Sequence, residues 1–288
     1  MKQQIVSRWD SSKVLFECDV PDDLPSGLRM RHALEKAVAD LTGADLTDAD
    51  LTGANLTGAD FTRAVLTRAD LTGANLTDAD LTGADLTRAD LTRAVLTRAN
   101  LTRADLTRAV LTRADFTRAD FTRAVLTGAD FTRAVFTRAV LTGADLTRAN
   151  LTDADFTRAV LTRADLTGAN LTDADLTGAD LTSQKADFFD ILLRASREVA
   201  GLRAALIAGK VDGSTYEGEC ACLVGTIANV RSASFHDLGN GIKPNSSRPA
   251  ERWFLGIKKG DTPDTNQISA ITVGWIDEFV VLLELAKL

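Results

Sequence analysis

From residue 39 to residue 183 the apolar positions recur every five residues without a break. Each of the 29 units reads Ala, then Asp, Asn or Val, then Leu or Phe, then Thr, then Gly, Asp or Arg, with Ser closing the last. Alanine and threonine never vary, and the third place is Leu except at Phe61, Phe116, Phe121, Phe131, Phe136 and Phe156. On an α-helix this period advances each apolar residue by about 140° per unit, so no stripe forms. A straight strand fails as well, because an odd period sends successive leucines to opposite faces. One face survives only if the backbone bends once per unit. Ala and Leu, two apart, then point the same way from a short extended segment, and the turn runs through Thr and the fifth place. Bends of one hand wind the chain into a coil with Ala and Leu inside. Such coils must stack and pair their backbones to cover their edges.

The unit A-(D/N)-L-T-x resembles the pentapeptide-repeat family over half of the chain. That resemblance implies a mainly β fold, a right-handed quadrilateral β-helix with four units per coil. Residues 20 apart would stack, giving about seven coils and a rod on the order of 35 Å long at the spacing of sheet strands. Phe116, Phe136 and Phe156 would share one interior column as an aromatic ladder. Natural repeats drift, whereas this array looks like a consensus lattice with chosen substitutions. It reads as designed, with recent duplication as the natural alternative.

The flanks are irregular, and the expected organisation is an N-terminal cap over 1–38, the array over 39–183 and a C-terminal α+β cap over 184–288. In KVLFECDV, residues 13–20, Val14, Phe16, Cys18 and Val20 alternate with polar neighbours, the pattern of a half-buried strand. Ser26 is placed to N-cap a helix from Leu28 to Val38. Beyond the array, Phe188, Leu192, Ala195, Val199, Leu202 and Leu206 recur at helical steps, with a break expected near Gly201. CACLVGTIANV reads as a buried helix or strand, ERWFLGI as a strand, and ISAITVGWIDEFVVLLELAKL as a closing helix. That last apolar run either closes the cap or joins two chains as a homodimer.

Composition narrows the setting. The formal net charge of −7 gives no global case for nucleic-acid binding. No run of 18 apolar residues occurs, and MKQQIVSRWDSSK lacks an apolar leader core, so neither a membrane partner nor secretion is expected. Three cysteines in 288 residues are no disulfide framework, and a cytoplasmic location follows as the expectation.

Within the repeats 15 Arg stand against 21 Asp. With a 20-residue coil, Arg98, Arg118, Arg138 and Arg158 form one vertical file, and Arg93, Arg113 and Arg133 the next. The column flanking the first file carries Asn100, Asp120, Val140 and Val160, which compensates it only in part. Two readings follow: a strip for an anion or an engineered protein partner, or a solvated face laced with weak Asp–Arg pairs. Seven second-place valines should point outward, and Val140 and Val160 should stack. Catalytic candidates are thin. Cys220 and Cys222 lack further Cys or His nearby for a zinc site, and Cys222 with His236 and Asp237 has no spacing that marks a nucleophilic set. No cofactor fingerprint occurs, and GNG at 239–241 opens no phosphate loop. The sequence therefore points to a non-enzymatic scaffold whose rigid surface serves display or interaction. The family resemblance supplies an alternative, a DNA-mimic inhibitor of a type II topoisomerase such as gyrase, although the central basic band and the lack of projecting loops count against it.

Overall fold

A computed structural model describes residues 2–7, 10–23, 25, 29, 32–33, 41–215, 222–236, 238–239, 241–245 and 248–286. The chain divides into two units, Met1–Ala164 with Ala174–Asp180 and Asp165–Asp173 with Leu181–Leu288.

In the first unit the repeats stack with a period of 20. Parallel bridges join second-place residues one coil apart, from Asp45 with Val65 through Val140 with Val160. Each extended run is a single bridge residue, because the chain turns again before a longer strand can form. The unit 79–83 accounts for all five of its backbone N–H groups. Ala79 donates to Leu76 O at 3.1 Å, closing the turn, and Asp80 donates down to Ala59 O at 3.0 Å. Leu81 and Gly83 donate up to Asn100 O at 2.7 Å and Thr102 O at 2.9 Å. The Thr82 N–H is taken by the Asp80 carboxylate, Oδ1, at 2.9 Å. Three bonds per unit therefore hold coil to coil and two hold the corner, so no buried donor is left over. The side-chain bond explains the second place: Asp and Asn offer an oxygen at the distance an Asx-type turn requires.

Turning needs a left-handed residue in the fifth place. Arg and Asp there hold φ between 56° and 62°, the third-residue geometry of a type II turn. The invariant Ala and the Leu or Phe point inward, and Leu66 through Phe156 are fully covered. The expected aromatic ladder is present. Phe116 and Phe136 stack at 5.1 Å and Phe136 and Phe156 at 4.7 Å, with Phe121 and Phe131 set against them edge-on or tilted.

Before the array, β1 (Lys2–Ser7) and β2 (Asp10–Asp19) form an antiparallel pair. The alternation expected over 13–20 places only part of this. The register slips opposite Val6, where Ile5 pairs with Phe16 but Val6 with Val14. This bulge breaks the inward face: Val20 is buried, Cys18 is half-buried, and Val14 is 41% exposed. Arg29, His32 and Ala33 are helical, while Ser26, Leu28 and most of the helix expected to Val38 lie outside the described residues.

Beyond Leu181 the second unit is helical, not α+β. It holds α1 (Thr182–Arg194), α2 (Val199–Ile207), α3 (Leu223–Arg231), α4 (Pro249–Phe254) and α5 (Gln267–Leu285), and no longer strand among the described residues. The strand expected in ERWFLGI is helix α4. Pro249 starts it at a position where a missing N–H costs nothing, and burial of Trp253 and Phe254 overrides their β-propensity. Phe188, Leu192, Ala195, Val199, Leu202 and Leu206 are all buried, as their spacing implies. The break falls at 195–198 instead of Gly201. Gly201 sits inside α2 because a Cβ there would lie 2.4 Å from Val230 Cγ1. Trp253 Nε1 donates to Thr272 Oγ1 at 2.9 Å, which ties α4 to α5.

Leu96 and its outward neighbour Val95 test this packing. Leu96→Ala should lose about 2–5 kcal/mol of unfolding free energy, and Val95→Ala no more than about 0.5 kcal/mol, measured by denaturant titration.

Candidate interaction surface

The fifth-place side chains leave the corner outward, so a file of them runs up the coil stack. Arg98, Arg118, Arg138 and Arg158 line a shallow groove of about 430 Å³ together with Thr97, Thr117, Thr137, Thr157 and Thr177. The four arginines thus lie together as the 20-residue period places them. Arg93, Arg113 and Arg133 follow one another in the neighbouring file, each donating its N–H to the threonine carbonyl 19 residues on. A left-handed conformation costs an L-residue roughly 1–2 kcal/mol and glycine little. Arginine at 15 of these places is thus a choice for charge at the expense of conformation.

Charge compensation comes from within the files. Arg98 Nε and Nη2 donate to Asp78 Oδ1 and Oδ2 at 2.7 and 2.6 Å, and Arg68 grips Asp48 in the same way at 2.6 and 2.5 Å. Arg133 Nε meets Asp153 Oδ2 at 3.2 Å. Each partner is a fifth-place aspartate one coil away in the same file, a pairing legible from the 20-residue period. Second-place carboxylates serve the threonines instead. Arg118, Arg138 and Arg158 have no carboxylate partner among the described residues. At the level of Arg138 both flanking second-place residues are valines, Val135 and Val140.

The hydrogen bonds from Arg98 hold the Asp78 carboxyl below its ordinary range, as those from Arg68 do for Asp48. Asp155 also sits low: burial pushes it up, but donation from the Thr157 hydroxyl and N–H and from Thr137 outweighs that. In four of the seven units with Val in the second place, the threonine turns upward. Thr97, Thr127, Thr137 and Thr162 donate to Oδ2 of Asp115, Asp145, Asp155 and Asp180 in the next coil. Val95, Val110 and Val125 point outward, between 37% and 38% exposed, and Val140 and Val160 stack as neighbours.

Of the catalytic candidates, the described residues include Cys222 and His236. Burial pushes the Cys222 thiol up to about 11, so at neutral pH it holds its proton and is a poor nucleophile. His236 is exposed with its ring against Phe235, while Cys220 and Asp237 lie outside the described residues. Among the described residues no group of three His, Cys, Asp or Glu is placed to hold a metal ion. None of the described helices is long and apolar enough to cross a membrane.

A coil with this bonding and these outward files defines a β-solenoid repeat protein. Residues 39–182, half of the chain, match the family model for pentapeptide repeats in eight copies, and the chain belongs to that family, whose fold is the right-handed quadrilateral β-helix. No curated protein matches the chain. Among solved structures, HetL, a pentapeptide repeat protein involved in heterocyst differentiation regulation from the cyanobacterium Nostoc, is 39% identical over 48% of this chain and 70% of its own, with a TM-score of 0.31. Rfr23 from the cyanobacterium Cyanothece is 27% identical over 46% and 86%, with a TM-score of 0.28. QnrB1, a plasmid-mediated fluoroquinolone resistance protein, is 23% identical over 52% and 83%, with a TM-score of 0.26.

Two measurements check this surface. In an NMR titration the Asp78 carboxyl should fall below about 3.9 and return to that value in Arg98→Ala. Its contribution to stability therefore persists above that pH and disappears as acid carries the carboxyl through its lowered pKa. Site-resolved thiol alkylation of the native protein at pH 8 should leave Cys222 unmodified until the fold is denatured; rapid labelling of Cys222 would revive a reactive thiol.

Proposed function

We propose that the chain is a non-catalytic scaffold, a rigid solenoid whose outward files present charge at fixed spacing for display or interaction, and that its uniform array is designed. The observation that carries the reading is the division of labour within the unit. Ala, Leu, Thr and the second-place acid are committed to the core, the ladder and the turn, which leaves only the fifth place and the second-place valines free to vary. The fifth place, where Gly, Asp and Arg alternate, makes the same backbone bond to the next coil whichever residue stands there, as a display lattice requires. A surface made this way has fixed geometry but no enclosed pocket, and catalysis needs groups held around a reacting atom.

A DNA-mimic inhibitor of type II topoisomerase is the reading this one has to beat. Mimicry of a duplex needs outward negative charge along the whole stack. Here the central coils carry arginine, and 15 Arg stand against 21 Asp across the repeats. Purified protein should leave gyrase supercoiling unchanged in a gel-based assay, and inhibition at sub-micromolar concentration would replace the scaffold with the mimic.

A further inference from the structure

One face of the coil stack gathers arginine from both of its edges. Over three coils Arg93, Arg113 and Arg133 stand along one edge, and Arg98, Arg118 and Arg138 along the other. The second-place residues between them are Val95, Asp115 and Val135, so six guanidiniums share these coils of the face with one carboxylate. Asp115 is itself engaged: Oδ1 accepts from the Thr117 N–H at 2.9 Å and hydroxyl at 2.6 Å, and Oδ2 from the Thr97 hydroxyl at 3.4 Å. Asp78 and Asp153, in the coils on either side, take up Arg98 and Arg133. Arg93, Arg113, Arg118, Arg138 and Arg158 have no carboxylate partner among the described residues. The groove beside Arg98, Arg118, Arg138 and Arg158 lies on this face and is lined by their threonines. The opposite corner, half a coil away, differs. There Arg88, Arg108 and Arg148 each stand three residues after a second-place aspartate, Asp85, Asp105 and Asp145, and Gly128 interrupts the file.

We propose that this face binds a linear phosphate polyanion along Arg118, Arg138 and Arg158, an inference that rests on the scaffold reading and supplies its ligand class. A guanidinium grips two oxygens of one phosphate in a planar fork. Successive arginines stand about 4.8 Å apart, so their like charges repel, and a polyanion relieves that repulsion along the whole row. At Arg138 both flanking second-place residues are valines, so no neighbouring acid competes with the ligand.

Spacing chooses among polyanions. Phosphates of a stacked duplex strand rise by about 3.4 Å, and same-face side chains of an extended acidic peptide recur at about 6.6 Å. Both are fixed steps that drift out of register with the file. A single chain of phosphates carries charge on every unit and rotates about its P–O bonds, so it brings a charge to each guanidinium. Bases are not read: stacking on single strands uses aromatic side chains, and all six phenylalanines of the array are buried. The feature recognised is phosphate, which inorganic polyphosphate and the backbone of a single-stranded nucleic acid share. The chain's net charge of −7 opposes a polyanion everywhere else, which confines binding to this face and makes it sensitive to salt.

Fluorescence anisotropy of the full chain with labelled oligothymidylate, and separately with labelled inorganic polyphosphate, tests this. With three phosphates neutralised, log Kd should rise with log salt concentration at a slope of about 2. Replacing Arg118→Gly, Arg138→Gly and Arg158→Gly together should weaken binding at least about tenfold. Glycine already holds the left-handed fifth place at Gly83, Gly128 and Gly143, so the coil is kept. Arg88→Gly, Arg108→Gly and Arg148→Gly together remove the same charge from the opposite corner and should change binding less than about threefold. Equal losses in the two triple variants overturn the proposal, since net charge alone would then explain binding. A duplex or a polyglutamate of equal charge that binds as tightly also overturns it. Binding of both probes, or of polyphosphate alone, supports the file as a phosphate site and separates its two sources; binding of neither overturns it. That last result leaves the scaffold reading standing, and gyrase inhibition would sink the scaffold reading without altering the titration.

Discussion

Everything in the first unit depends on the backbone ladder between coils. Three of the five N–H groups in a unit reach a neighbouring coil, and each such bond needs the residue 19 or 21 positions away to sit directly above or below. Hydrophobic burial supplies the driving force, because the Leu and Phe side chains leave water on folding, but burial alone does not fix a register. The ladder does. Once it is in place, every outward side chain has an assigned height and an assigned file. For that reason a charge pattern of period 20 becomes a surface feature instead of scattered residues.

The same constraint explains which positions vary. Ala packs at the corner, Leu fills the lumen, and the Thr N–H needs an oxygen that the ladder does not provide, hence Asp or Asn two residues earlier. Valine in that place gives up the local bond, and at Thr97, Thr127, Thr137 and Thr162 the hydroxyl turns to the aspartate of the next coil instead. The fifth place carries the left-handed turn, a conformation for which glycine is the unstrained choice. Arginine there works against local preference, so its concentration in the central coils is an informative departure from the lattice. The aspartates at 48, 78 and 153 mark where that positive charge is paired off within a file.

Much of this was legible in the sequence because one periodicity carried it. The coil, the inward Ala and Leu, the ladder of Phe116, Phe136 and Phe156, and the vertical order of Arg98 to Arg158 all follow from spacing. Two things did not. Spacing points to the flanking column for compensation, whereas Asp78 pairs with Arg98 from within the file; the bond of the second-place acids to the threonine N–H is invisible in spacing alone. Outside the array no long period exists, and local signals misled. Aromatic residues in ERWFLGI suggested a strand where tertiary burial makes helix α4, Gly201 suggested a break where it makes room for Val230, and the bulge in β2 removed Val14 from the expected inner face. The first strand, Lys2–Ser7, was not anticipated, since only Ile5 and Val6 in it are apolar.

The stacking itself is the claim to test most directly. Spin labels at Arg63→Cys and Arg163→Cys, in a chain whose native cysteines are replaced, sit five coils apart in one file. At the spacing of paired strands they should be separated by about 24 Å with a narrow distribution. The same 100 residues as a continuous α-helix would span about 150 Å. A broad distribution, or a mean well beyond 35 Å, roughly the length of the whole seven-coil stack, would contradict a coil that closes every 20 residues.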